Sequence, residues 1–235
     1  MRLAGTHQLQ TPYVRLKMAT SLDGRTAMQS GESQWITGAE ARADVQRIRA
    51  QSCAILCGAD SVLIDNPSMN VRIQSDTMAE IRQPLRVIID SQHRVNESAN
   101  IFTHPGRVLI VSSTDPDYEI TSPHCNVTYV KIPVQANSTK VDLERLLEWL
   151  AKEGINEVLV ETGAKLAGAF IEADLVDELI VFTAPTLLGS HARPAFTLPF
   201  DQMNQQIRWY WDDVRKVGND LKLVLKRLPS LSETK

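Results

Sequence analysis

Cysteine is scarce in this chain of 235 residues: there are three, an odd number, and no two form a Cys-x-x-Cys. That usage argues against both a disulfide framework and a paired-cysteine metal site. Cys53 and Cys57 share one short apolar run. Read as a strand, the run holds them roughly 13 Å apart, beyond disulfide reach. Buried reduced thiols in a reducing, cytoplasmic setting are the expectation. The five histidines, His7, His93, His104, His124 and His191, lack metal-ligand spacing, so no metal is expected. Long hydrophobic runs are missing too. Nothing approaches the roughly 18 apolar residues of a membrane span, and MRLAGTHQLQTP is too polar for a signal peptide. Charge of one sign is also lacking. The net charge is -3, from 25 basic and 28 acidic side chains, which removes the bulk phosphate attraction of a nucleic-acid binder. Finally, no GxSxG, GxxxxGK[ST], HExxH or GxGxxG occurs, so serine-hydrolase, P-loop and zincin chemistry have no sequence basis.

What is present is ordinary globular material, 43% hydrophobic and 23% charged, enough to bury a core without crosslinks. Alternation or apolar runs predict strands over 13–18, 53–57, 85–89, 108–111, 127–132, 158–160 and 179–183. Helices are predicted after Thr37, over 59–64, from an Asp142 cap to 153, and from Gly163 to 173. Thr37 to Glu40 fits a capping box. Two β-like runs, 207–217 and 221–228, flank Gly218-Asn219-Asp220 and read as a hairpin. Stretches 74–83 and 115–126 read as surface loops. The alternation predicts an α/β fold: a mostly parallel central sheet flanked by helices, with an antiparallel C-terminal hairpin at one edge. One domain over 12–235, after an extension of 1–11, is the simplest organisation.

Several residues invite a chemical reading. From Val160 to Gly168 a strand runs through Glu161 into Gly163 and a small-residue helix. Such a turn suits an anion at free helix N–H groups, and equally a plain strand-to-helix connection. Ligands of open α/β sheets gather at the carboxyl ends of strands, where Glu161 falls. Lys17 shares a strand face with Tyr13 and Arg15, which fits a polar cleft or a solvated edge strand. Trp35 sits in a polar loop and can pack on the core or stack on a ligand. Arg49 and Arg72 can converge on a phosphate or be solvated. Ser91, with His93 and Arg94 behind it, ends a buried strand and fits a surface turn or a 2′-phosphate contact.

Seven strings resolve the anonymity: KMATSLDGRTA from Lys17, SGESQWIT from Ser30, RAQSCAIL from Arg49, DNPSMNVR from Asp65, RVIIDS from Arg86, VETGAKLAGAF from Val160 and VDELIVFTAPTLLG from Val176. In this order they resemble the reductase domain of the bifunctional riboflavin-biosynthesis deaminase/reductase, a dihydrofolate-reductase-like fold. The resemblance implies NADPH-dependent reduction of 5-amino-6-(5-phosphoribosylamino)uracil to its ribitylamino product. It implies Lys17 and Glu161 as the polar catalytic pair, and Ser33, Arg49, Met69, Arg72 and Glu161 as substrate contacts. Ala19, Trp35, Ser61, Asp65 and Ser91 become cofactor contacts, with Gly163, Ala164, Lys165, Leu166, Ala167, Gly168 and Ala169 under the cofactor phosphates. A homodimer is implied as well. The His-x-Glu and Pro-Cys-x-x-Cys of the family's zinc deaminase domain are missing. A stand-alone reductase or an excised domain is therefore expected, with deamination performed by a separate domain or protein. Related reductases act on the 2,5-diaminopyrimidinone before deamination; SGESQWIT favours the uracil. A pterin-type reductase and a silent nucleotide-binding module are the remaining alternatives.

Overall fold

Side-chain alternation along the first strand divides the molecule into two faces. In β1 (Tyr13–Ser21), Val14, Leu16 and Met18 are buried, while Tyr13, Arg15 and Lys17 are partly open, the period-two pattern of a pleated strand. The computed structural model describes residues 11–73, 81–116, 118–135 and 139–227. After β1 come β2 (Arg25–Ala27), α1 (Ala39–Gln51), β3 (Ala54–Gly58), α2 (Ala59–Asp65), β4 (Leu85–Ile89), β5 (Arg107–Ser112) and β6 (Asn126–Lys131). The chain continues through α3 (Leu143–Lys152), β7 (Glu157–Val160), α4 (Ala164–Glu172), β8 (Glu178–Ala184), β9 (Arg193–Pro194), β10 (Trp209–Val217) and β11 (Asp220–Arg227).

Among the described residues a 9-stranded sheet has the order β10-β11-β8-β1-β7-β3-β4-β5-β6. From β8 to β6 every neighbouring pair is parallel. The C-terminal hairpin adds β11 antiparallel to β8, and β10 antiparallel to β11. The expected α/β architecture is the observed one. β1 lies in the middle of the sheet between β8 and β7, so its polar face is not that of an edge strand.

The sheet separates two hydrophobic cores. On one side α3 contributes Leu143, Leu146, Leu147 and Leu150, which pack with Val14, Leu16 and Phe170. Their i, i+3, i+4, i+7 spacing makes one apolar stripe, and each buried leucine stabilises by about 1.5–3 kcal/mol. Asp142 caps α3 by accepting the Arg145 N–H at 3.2 Å. On the other side α1 and α2 bury Ala41, Ile48 and Val62 against Ile55, Cys57 and Leu159. All three cysteines are free; Cys57 is buried and the other two are partly so.

The capping box expected at Thr37 does not form. Gly38 is the N-cap of α1, and it makes no side-chain capping bond. The Gly38 N–H instead donates to Asp220 Oδ2 at 2.7 Å. The winning carboxylate comes from the hairpin, a tertiary partner that local spacing does not reveal. Residues 74–80 of one expected loop and residue 117 of the other lie outside the described residues. Among the described residues no helix is long and apolar enough to cross a membrane.

A close approach fixes α4 against the loop that follows β9. Thr197 N–H donates to the Ala164 carbonyl at 3.0 Å, and a Cβ on Gly168 would stand 2.0 Å from the Thr197 carbonyl oxygen. Gly168→Ala is therefore expected to lower stability by about 1–3 kcal/mol through overpacking. Urea denaturation checks this: the midpoint falls at unchanged slope, and a midpoint equal to wild type refutes the packing argument.

Candidate functional site

The site begins where one strand stops short. β1 and β7 pair in register from Tyr13↔Glu157 to Leu16↔Val160, where β7 ends. β1 continues to Ser21 with β8 alone at its side, so a notch opens beside Lys17 and Ala19. The next residue after β7 is Glu161, its N–H held by the Leu56 carbonyl at 2.9 Å. Continuing the register places it next to Lys17, and the two form an ion pair at 3.0 Å. Arg49, in the last turn of α1, completes the cluster from the helix layer. Its Nε donates to Glu161 Oε1 at 2.7 Å and its Nη2 to Oε2 at 3.1 Å, a bidentate fork. Arg49 Nη1 donates to the Asn70 carbonyl at 3.2 Å.

These charges are almost dry: side-chain exposure is 14% for Lys17, 9% for Glu161 and 11% for Arg49. Burial pushes the Glu161 carboxyl toward neutrality, but Arg49 and Lys17 outweigh it and hold its pKa at about 2. Burial likewise disfavours the Arg49 cation, and Glu161 more than compensates, raising its pKa. The neighbouring Cys57 thiol is pushed up to about 12 by burial and by Glu161, so it stays protonated and is no nucleophile. Two cations share one carboxylate, which leaves the floor with a formal surplus of positive charge.

A cleft of about 480 Å³ opens over this floor. Of the residues singled out in the sequence, Lys17, Ala19, Ser33, Trp35, Arg49, Asp65, Arg72 and Glu161 line it together. Ser33 Oγ donates to Asp65 Oδ1 at 3.2 Å and ties the tryptophan loop to the end of α2. Trp35 is 68% exposed and does not pack on the core; the Arg42 guanidinium lies 4.5 Å from its ring centre. A wider hollow of about 680 Å³ lies between α3 and the end of β6. Two of its cations are engaged at the surface, in the Arg145–Asp142 and Lys131–Asp115 pairs.

Other singled-out residues do not line the cleft. Met69 is 3% exposed and packs into the α1 and α2 core, not into the cavity. Its left-handed backbone, φ 51, belongs to the turn that presents the Asn70 carbonyl to Arg49. Ser61 lies within α2 and Ser91 follows β4, both partly buried. The segment from Gly163 to Ala169 stands at the carboxyl edge of the sheet, two residues beyond Glu161, and divides in two. Gly163 is the N-cap of α4 without a side-chain capping bond, so among the described residues Ala164, Lys165 and Leu166 begin the helix with N–H groups that no side chain caps. Ala167 and Gly168 are buried, the Ala167 N–H is bonded to the Gly163 carbonyl at 3.0 Å, and Ala169 lies in the second turn. These last three face packing rather than a ligand. Gly58 completes the edge: a Cβ there would lie 3.3 Å from Leu166 and 3.6 Å from Thr162 Oγ1, so the exits of β3 and β7 stand side by side.

Thr26, Gln34, Thr37, Arg42, Gln46 and Phe182 also line the cleft and were not singled out from sequence as site residues; Thr37 was read only as a helix cap. A signal existed for two of them. Arg42, Gln46 and Arg49 recur at i, i+4 and i+7 along α1 and therefore share one helix face. Asp23, in the SLDG turn, has a structural task. It accepts from Ser21 Oγ at 2.5 Å and from the Leu188 and Gly189 N–H groups at 3.1 and 2.8 Å, tying the exit of β1 to the loop after β8.

Comparison with known proteins fits this geometry. Residues 12–223 match the family model described as the RibD C-terminal domain. Riboflavin biosynthesis protein RibD of Escherichia coli is 42% identical over 223 residues, covering 91% of this chain and 59% of that protein. A Buchnera aphidicola protein named 5-amino-6-(5-phosphoribosylamino)uracil reductase is 33% identical over 208 residues, covering 84% of this chain and 98% of the other. The solved structure of Acinetobacter baumannii RibD superposes with a TM-score of 0.81 at 40% identity, covering 94% of this chain and 59% of that one. The chain thus spans less than two thirds of the RibD proteins it matches. It belongs to the RibD C-terminal domain family.

Proposed function

We propose that this chain reduces 5-amino-6-(5-phosphoribosylamino)uracil at C1 of its ribose, using NADPH. The carrying observation is the dry Lys17–Glu161–Arg49 cluster under an open cleft, in a chain of this family. The carboxyl edge fits the cofactor. Gly163 is exposed; among the described residues nothing lies within 4 Å of where its Cβ would be, and no side chain caps the N–H groups at the start of α4. Gly163, Ala164, Lys165 and Leu166 would hold the phosphates there. Ala19, Trp35, Ser61, Asp65 and Ser91 stay in the proposal as further contacts, and Met69 acts through its backbone turn. When bound, NADPH supplies a hydride.

The chain's own residues set the stage for that transfer. Arg49 keeps Glu161 ionised and in place. Ionised Glu161 accepts but cannot donate, so it orients the Lys17 ammonium and fixes its position under the cleft. The bond from C1 to the ring oxygen must break first: the ribose opens to an imine as the N–H proton passes to that oxygen, hydride addition at the imine carbon turns C=N into C–N, and the nitrogen then gains a proton, which the Lys17 ammonium carries. A deaminase acting earlier supplies the uracil. Free thiols and an NADPH requirement suit a cytoplasmic setting.

Loss of NADPH absorbance on adding the uracil substrate is the direct test. No oxidation with it overturns the reading, and turnover of the 2,5-diaminopyrimidinone alone reassigns the substrate. Glu161→Gln is expected to lower kcat by ~10²-fold or more with NADPH affinity nearly intact; a large loss of cofactor affinity contradicts the assigned role.

Acid stability follows from the same carboxylate. Its pKa falls from an ordinary 4.5 to about 2 on folding. The linked stabilisation, on the order of 3 kcal/mol, is complete above the unfolded value and is lost as pH drops toward the folded one. Acid titration of unfolding free energy is expected to reveal this loss in wild type and a shallower one in Glu161→Gln. Parallel curves contradict it.

For the homodimer expected from family resemblance we propose the outer face of β10 as the contact. A bulge between Trp211 and Asp213 puts Trp211 and Val214 on one face, opposite Leu225 and Leu223. Trp211 is 62% and Val214 54% exposed, an apolar patch of the kind that marks contacts. Sedimentation is expected to give a dimer that Trp211→Lys dissociates; a wild-type monomer removes the proposal.

A further inference from the structure

We propose that Lys222 and Asp44 are positioning residues: their buried ion pair, made between the C-terminal hairpin and α1, fixes the helix where Arg49 can reach Glu161. The inference rests on the reductase reading above and deepens it. Neither residue is among the described residues that line the cleft.

A row of paired residues leads from the cleft to them. Ala19 stands opposite Phe182 in the register of β1 with β8, and Phe182 opposite Lys222 in that of β8 with β11. Residues directly opposite in neighbouring strands share one face of a sheet. Ala19 and Phe182 line the cleft, so Lys222 lies on the cleft side. Its Nζ is 5.5 Å from the Phe182 ring centre and donates to Asp44 Oδ2 at 2.7 Å. Side-chain exposure is 9% for Lys222 and 14% for Asp44. Asp44 Oδ1 also meets Arg47 at 3.6 Å, an exposed neighbour on the same helix that ties nothing to the sheet. Asp44 precedes Arg49 by five residues along α1, a rise of about 7.5 Å.

Two charges here need a reason other than stability. The core beside them is apolar, with Ala41 and Phe182 buried, and replacing a buried ion pair by apolar side chains is often neutral or stabilising. What the pair supplies is a fixed place. α1 is tied at its start by the Gly38 N–H on Asp220, midway by Asp44 on Lys222, and in its last turn by Arg49 on Glu161. The first two ties both come from β11. The hairpin turn closes on the same helix: a Cβ on Gly218 would stand 2.7 Å from Glu40 Oε2. A helix resting on apolar side chains alone could slide and carry the Arg49 fork with it. The fork spans 2.7 and 3.1 Å, and a slip of about 1 Å takes such bonds out of range. Glu161 orients the Lys17 ammonium, so a misplaced α1 is felt at the reacting carbon.

The deciding variant replaces both charges, Lys222→Met with Asp44→Leu, and is read for stability and turnover together. Its urea midpoint is expected at or above that of wild type. Its kcat is expected to fall ~10-fold or more, with KM for NADPH moving less than ~2-fold. Lys222→Arg, which can renew the pair, should keep most of the wild-type kcat. Lys226→Met, which breaks the surface pair with Asp212 on the same hairpin, should turn over like wild type. Adding the double replacement to Arg49→Lys, where the fork is already lost, should lower kcat little further, because both changes act on one carboxylate. Wild-type kcat in the folded double variant, or losses that multiply with that of Arg49→Lys, overturns the proposal. Should the double variant not fold, Asp44→Asn takes its place with the same kcat and Arg49→Lys outcomes. Should the wild-type chain turn over neither pyrimidine, the reductase reading fails separately. Amide hydrogen exchange then decides the positioning role: exchange over 39–51 must be faster in Asp44→Asn than in wild type, and equal exchange overturns it.

Discussion

Glu161 is held by two cations at once, and the rest of the site is arranged around the expense of keeping that carboxylate dry. Burying a charge costs several kcal/mol, and the Coulomb attraction of a partner repays this only when geometry is close and the remaining lone pairs are used. Both conditions hold here. Arg49 meets both carboxylate oxygens and Lys17 a second time meets Oε2. Each partner comes from a different layer or segment: Lys17 from mid-sheet β1, Glu161 from the end of β7, Arg49 from the last turn of α1. A cation in the last turn of a helix also meets the negative end of its dipole. The cluster pins helix to sheet as well as preparing a cleft, so loss of one member is felt in folding and chemistry together.

The notch that houses this cluster is a consequence of unequal strand length. β7 ends at Val160 while β1 runs on to Ser21. Had β7 continued, its next residues would have covered Lys17 and Ala19 with paired backbone. Instead the chain turns through Thr162 and Gly163 into α4, whose entry lies at the same edge. One short strand thereby creates an open sheet face on the α1 side and an N–H-rich helix start at the carboxyl edge. This is why the open cleft and the exposed start of α4 are neighbours.

Much of this was legible in sequence, and the reasons differ by residue. Lys17 among Val14, Leu16 and Met18 is visible from alternation alone, and Asp142 before a leucine stripe announces its helix. Glu161 was visible as the polar residue ending an apolar run. The partnership of Arg49 with Glu161 was not, because it spans 112 positions and depends on how α1 is laid across the sheet. The same distance hid Asp220 behind Gly38 and made Thr37 look like a cap. Glycine was misleading in the opposite sense. Gly163 and Gly168 look equivalent in a phosphate-binding string, yet the first faces open space and the second faces a carbonyl oxygen. Composition cannot separate a glycine kept for a ligand from one kept for a packing contact.

The cleft's two levels divide the physical work. The floor is rigid and internally satisfied: its carboxylate is fully engaged, so it offers direction more than capacity, and the Lys17 ammonium is its outward element. Two further cations, Arg42 and Arg72, line the wall above it. Interactions far from the reacting carbon can be used to hold it, since binding energy from a remote group lowers the entropic cost of alignment.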